Sequence, residues 1–173
     1  MKNIPFIAII LALCLSQPLL SDTYQVEQVR RLLQEEALFL NSKLKFQIFG
    51  CGGSFSDTID VLELTVQVPG KMTLPKARLV FVAALRDWMN RVNCDTLARP
   101  YYKNYPMLIN NFEFRMILPE FDEKSDEESP KIALIFNVGD KIVYCYRKES
   151  GALTPFLRES YDQAVKKITT TKK

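Results

Sequence analysis

Three cysteines, a glycine cluster and a few carboxylates are the residues in this chain whose types could do chemistry. Cys51, Cys94 and Cys145 lie far apart in sequence, so no Cys-x-x-Cys redox pair exists among them. In an oxidising compartment two of them could form a disulfide, and spacing leaves all three pairings open. The odd thiol would be a small core residue or would pair with another chain. Gly50-Cys51-Gly52-Gly53-Ser54 suggests a phosphate loop, but no Lys-Ser/Thr follows the last glycine. The cluster therefore reads as a break in the chain, a turn that needs positive φ. Glu63 and Glu113 sit on the polar faces of two strand-like segments, and Arg115 is placed to make a cross-strand ion pair with Glu63.

The chain has no histidine. This removes the usual general base near neutral pH, every Ser-His-Asp or Cys-His nucleophile within one chain, and zinc sites of mixed Cys and His type. The expectation is a protein that is not an enzyme, with no cofactor and no metal. A net charge of +3 is too small to argue for nucleic acid. Part of it sits in the terminal Lys166, Lys167, Lys172 and Lys173.

The densest local signature is Arg99-Pro100-Tyr101-Tyr102-Lys103-Asn104-Tyr105-Pro106. Such a segment is stiff and amphipathic. It suits a loop whose rings close the core over a helix end, or a surface that meets a partner through Tyr and Arg. Arg99, Tyr101, Tyr102 and Tyr105 are the candidate contacts, joined by Ile135 and Val143 from a strand pair that is apolar on both faces.

The elements that must position these residues follow from periodicity. Met1-Lys2-Asn3, the apolar run Ile4 to Leu15 and the small Ser21 have the order of a secretory signal, residues 1–21. The run is too short for a transmembrane helix. Cys14 lacks the small preceding residue of a lipoprotein box, Leu13 standing there, and reads as an apolar residue removed with the signal. Residues 22–173 then form one α+β domain in a periplasmic or secreted protein, with no transmembrane segment. Thr23 to Lys45 has helical spacing. Phe46 to Phe49 and Thr58 to Val68 read as strands, the second with clear alternation. Pro75 opens a helix to Val92 whose stretch Leu79 to Leu85 is apolar nearly all round and so must be buried. Asn110 to Leu118 is a third strand, residues 119–130 an acidic surface loop, and Ile132–Val138 with Ile142–Arg147 a hairpin about Gly139. Thr154 to Ile168 reads as a last helix, before a basic tail at 169–173. The order α-β-β-α-β-β-β-α predicts an antiparallel sheet of about five strands with helices packed on it. In the hairpin, Ala133, Ile135, Val143 and Cys145 are expected on one face, opposite Ile132, Leu134, Phe136, Tyr144 and Tyr146.

Lys76-Ala77-Arg78-Leu79, Asp87 to Asn93, Arg99-Pro100-Tyr101 and Tyr105-Pro106 together resemble a group of small exported proteins of gram-negative bacteria. That group shares an ARxL…N…RPYL..YPF pattern. Tyr102 stands where the pattern has an aliphatic residue and Met107 where it has Phe. The resemblance spans about a quarter of the chain. It implies export, and no particular activity or functional residue. In element content the chain is also similar to type III secretion chaperones, which are small α+β dimers, without their acidic charge.

These readings converge on an exported, non-enzymatic protein-binding or assembly module whose partner is another protein or a second copy. The alternative is a carrier with a pocket for a small apolar ligand between sheet and helices. If the signal is cleaved after Ser21, N-terminal sequencing of protein recovered from cells starts at Asp22. An intact Met1 on soluble cytosolic protein overturns the expectation.

Overall fold

In the computed structural model the residues described are 24–55, 58–119 and 132–170. The expected signal with Cys14, nearly all of the acidic loop and the last three residues lie outside them. Helix α1 (Tyr24–Leu44) is followed by β1 (Gln47–Phe55), β2 (Ile59–Gln67) and helix α2 (Leu74–Cys94). After two short 3-10 turns come β3 (Phe112–Ile117), β4 (Ile132–Val138), β5 (Lys141–Arg147), β6 (Leu153–Ser160) and helix α3 (Tyr161–Thr170). The six strands form one sheet in chain order, β1 to β6. All neighbours pair antiparallel except β2 and β3, which run parallel. The fold is α+β with a mixed sheet, where an antiparallel one of five strands is expected from sequence.

The parallel pair explains α2. Two parallel neighbours cannot be joined by a tight turn, and the connection has to travel back along the sheet. Pro75 in the first turn of α2 costs no internal hydrogen bond there. Ala77, Phe81, Ala84, Leu85, Trp88 and Val92 form its buried stripe. Beneath it lie Leu62, Leu64 and Val66 of β2 and Phe112, Phe114 and Met116 of β3, the alternate residues that strand pleating sends to one face. The rings interlock: Phe81 and Phe114 have centroids 5.2 Å apart, and Trp88 meets Phe112 edge-on at 5.0 Å. Helix α1 packs over β1 and β2, and α3 beside α2 over β5 and β6. The helices share one core with the sheet.

Where β3 and β4 diverge, a side chain replaces the ladder. Asn137 is buried, accepts the Phe114 N–H at 2.8 Å and donates to the Phe112 carbonyl at 2.6 Å. Two backbone groups that would otherwise be orphaned in the core are satisfied by one amide.

Three expectations are corrected. The glycine cluster does not break the chain: Gly50, Gly52 and Gly53 pair with Thr65, Glu63 and Leu62, and none has positive φ. Extended backbone suits any residue, so a strand can run through glycines when a neighbour supplies the ladder. The segment Leu153 to Ser160 is a strand, not the start of the last helix. Pro155 is tolerated there because β6 is a sheet edge and Pro155 faces Cys145 at an irregularity in the register. Ile135 does not share a face with Val143. Residues directly opposite in an antiparallel pair point the same way, and the register sets Ile135 against Tyr144 and Phe136 against Val143. A shift between Ile132 and Leu134 offsets the pattern. Ile135 is consequently under the helices and fully buried.

Leu85 is 0% exposed at the centre of the α2 stripe. Leu85→Ala is expected to lower the unfolding free energy by about 2–5 kcal/mol in urea denaturation. A loss below about 1 kcal/mol, the size of surface effects, overturns the packing described. Ile135→Lys is expected to prevent folding.

Candidate interaction surface

The connection from α2 to β3 is long, and it is held at many points. Asn93, near the end of α2, grips Met107 like a neighbouring strand: it donates to the Met107 carbonyl and accepts the Met107 N–H, both at 2.8 Å. The Asp95 carboxylate accepts the Ala98 N–H at 2.7 Å and a bidentate pair from Arg31 of α1, both bonds 2.8 Å. The Arg31 hydrogen bonds hold the Asp95 carboxyl below the usual carboxylate range. Lys103 donates its N–H to the Ile59 carbonyl at 3.0 Å and its ammonium to Asp60 at 2.7 Å. Asn111 donates to the Asp60 carbonyl at 2.9 Å. The segment is thus tied to α1, to α2 and to the start of β2.

Within it the tyrosines divide their work. Tyr102 is buried, and its hydroxyl donates to the Val92 carbonyl at 2.8 Å, a second bond to an acceptor at the helix end that also takes the Asp95 N–H at 3.1 Å. Burial pushes its ionisation upward, so it stays a neutral donor. Tyr101 is half-buried on the core. Tyr105 stacks on Tyr102 at 6.5 Å but remains 46% exposed, and the Arg99 guanidinium lies 3.8 Å over its ring. The peptide bond from Tyr105 to Pro106 is cis. Leu97 and Leu108, at 56% and 61% exposure, belong to the same segment. Of the four candidates expected here, Arg99 and Tyr105 are exposed, Tyr101 is half-buried and Tyr102 belongs to the core, its hydroxyl bonded to the helix end; sequence reasoning did not single out the two leucines. A leucine's exposure depends on what packs over it, and nothing local reports that.

The remaining candidates are elsewhere. Ile135 belongs to the core. Val143 and Cys145 lie on the sheet face away from the helices, opposite Phe136 and Leu134 in register, and both are buried. Arg115 on that face makes the expected cross-strand pair with Glu63 of β2 at 3.5 Å, and a shorter one, at 2.6 Å, with Glu113 of its own strand. None of the three cysteines is in a disulfide. Cys51 and Cys145 cannot meet, since four strand spacings of ~4.8 Å exceed the ~7 Å Cα limit for a bridge. Burial raises the Cys145 thiol, which makes it an inert core residue. A Ser-x-x-Lys spacing exists at Ser42 and Lys45, but the Ser42 hydroxyl donates to the Phe39 carbonyl on an exposed helix end.

One buried polar cluster lay beyond sequence reasoning. Glu159 of β6 is buried and receives hydrogen bonds from Arg78, Tyr144 and Lys167, each at 2.6 Å. Burial pushes this carboxyl up, but those three donors outweigh it and leave it below its ordinary value. Glu36 of α1 presents the opposite balance. Arg91 grips it through two bonds of 2.7 and 2.8 Å, yet burial dominates and its carboxyl is raised. All these partners are side chains of the fold itself, so both clusters are structural ties rather than open sites. Among the described residues no three Cys, Asp or Glu side chains converge as a metal site would require, and no helix is long and apolar enough to cross a membrane.

Comparison with protein-family models, with curated proteins and with solved structures gives no match.

The two carboxylates have opposite proton linkage. A lowered folded value means that Glu159 stabilises fully above the ordinary carboxylate range and loses that contribution as pH falls through the lowered value. A raised value means that Glu36 gains stability as pH falls from the raised value to the ordinary one. Glu159→Gln, which leaves the buried Arg78 without its counter-charge, is expected to cost about 3–5 kcal/mol at neutral pH, and the gap to wild type should shrink in acid. Glu36→Gln, whose partner Arg91 reaches solvent, should cost under about 1 kcal/mol. Urea titrations of both variants across pH check the order and the slopes.

Proposed function

We propose that the chain is an exported protein-binding or assembly module without catalytic activity, and that the segment from Leu97 to Leu108 is its partner surface. The observation that carries this reading is the combination of rigidity and exposure. Asn93, Asp95, Lys103 and Asn111 spend their hydrogen bonds on holding the segment, and Arg31 adds a bidentate pair to Asp95. What it presents to solvent is Leu97, Leu108 and the Arg99–Tyr105 stack. Tyr and Arg, with Trp, are the residues enriched at binding hot spots. A surface that is ordered before it binds loses less entropy on binding. The signal-like order of residues 1–21 and the resemblance to small exported proteins support a periplasmic or secreted location. The carrier alternative needs a cavity between helices and sheet. There Phe81, Trp88, Phe112 and Phe114 are in mutual ring contact, which favours the binding module.

The test compares three forms of the protein as captured from the cells that make it. In the double variant Tyr105→Ala with Leu108→Glu, a partner held by wild type is expected to be lost. Each hot-spot truncation costs about 2 kcal/mol or more, roughly thirtyfold in Kd. Leu153→Glu, at an exposed leucine on β6, should leave capture intact. A partner indifferent to the double variant, or no partner for wild type, overturns the proposal.

A further inference from the structure

The two edges of the sheet are treated differently. The β6 edge carries Pro155, Arg158 and Glu159 within Leu153–Ser160, the kind of proline and charge that blunts an edge against added strands. The β1 edge carries nothing of the sort. Gln47 to Phe55 reads QIFGCGGSF, nine residues without a charge or a proline. Among the described residues, β1 has a strand on one side only, β2. Its register with β2 is irregular near both ends, between Ile48 and Gly50 and between Ser54 and Phe55, which leaves Gly50 to Ser54 as a regular stretch. Phe49 is 53% exposed beside it, and Leu38 and Leu44 are exposed on α1, the helix that packs over this strand.

We infer that β1 is the site at which a second copy of this chain adds, edge to edge and antiparallel, joining two sheets into one about a two-fold axis through Cys51. Three features select a second copy over a foreign peptide. An added strand is read through the side-chain positions flanking the edge. Gly50 and Gly52 offer open space there, with no atom within 4 Å of an added Cβ. The strand therefore reads no foreign side chain, but it accepts a backbone as bare as its own. Its lack of charge also means that self-pairing sets no like charges opposite each other. Finally, a frame centred on Cys51 sets Gly50 against Gly52 of the second copy, both within the regular stretch, so two bare backbones meet with no side chain between them, and the exposed Phe49 lies beside the seam. This surface is independent of the Leu97–Leu108 segment.

The experiment is sedimentation of the full chain and of two double variants. Neither Gly50 nor Gly52 has positive φ and both have open space, so side chains can be added without disturbing the monomer. In Gly50→Lys with Gly52→Lys, the frame sets like charges directly opposite one another twice. Association should weaken by about a hundredfold or more, with a circular dichroism spectrum as in wild type. In Gly50→Glu with Gly52→Lys the same positions become two opposite-charge pairs, and the dimer should persist. A monomeric wild type overturns the inference. So does a doubly basic variant that dimerises like wild type, or a Glu and Lys variant that is as monomeric as the doubly basic one.

Discussion

Because β2 and β3 run side by side in the same direction, the chain between them must return along the whole sheet before it can re-enter. Helix α2 is that return, and the remaining elements are arranged around it. Its buried stripe from Ala77 to Val92 meets the alternate residues of β2 and β3. The interlocked rings of Phe81, Trp88, Phe112 and Phe114 fill the layer between. Helices α1 and α3 then pack beside α2, against surfaces it has already defined.

Charged side chains fasten α2 near both of its ends. Near the first turn Arg78 meets Glu159, which also gathers Tyr144 and Lys167 and so ties α2 to β5, β6 and α3. Near the last turn Arg91 meets Glu36, and just beyond it Asp95 meets Arg31, both ties to α1. The two buried carboxylates differ in what dominates them. Glu159 has three donors and stays ionised readily, whereas Glu36 has one guanidinium and is ruled by desolvation. A buried charge is tolerated in proportion to the donors supplied to it.

The same logic shapes the α2–β3 connection. A long connection leaves many backbone groups in need of partners, and here side chains supply them: Asn93 for Met107, Asp95 for Ala98, Asn111 for Leu108. Holding the backbone in this way leaves Leu97, Leu108 and the Arg99–Tyr105 stack facing solvent. Order in the loop and exposure of its apolar groups are consequences of one arrangement.

Much of this was legible in the chain alone. Helical spacing marked α1 and α2, alternation marked β2 and β3, and Gly139 marked the hairpin, where its φ of 56° is one that glycine adopts freely. Those signals are local: a periodic apolar pattern needs only its own residues. The density of tyrosine and proline also marked the connection at Arg99 to Pro106 as special. What the sequence could not settle were relations between distant segments. A strand through Gly50 to Gly53 exists because β2 lies beside it, and the strand at Leu153 to Ser160 because β5 does. Ile135 is internal because register, a property of two strands and not of one, sets it opposite Tyr144. The ties of Arg31 to Asp95 and Arg78 to Glu159 join residues 64 and 81 positions apart. Local composition determined which elements could form; only tertiary pairing decided which backbone found a ladder, which face was buried and which charges met.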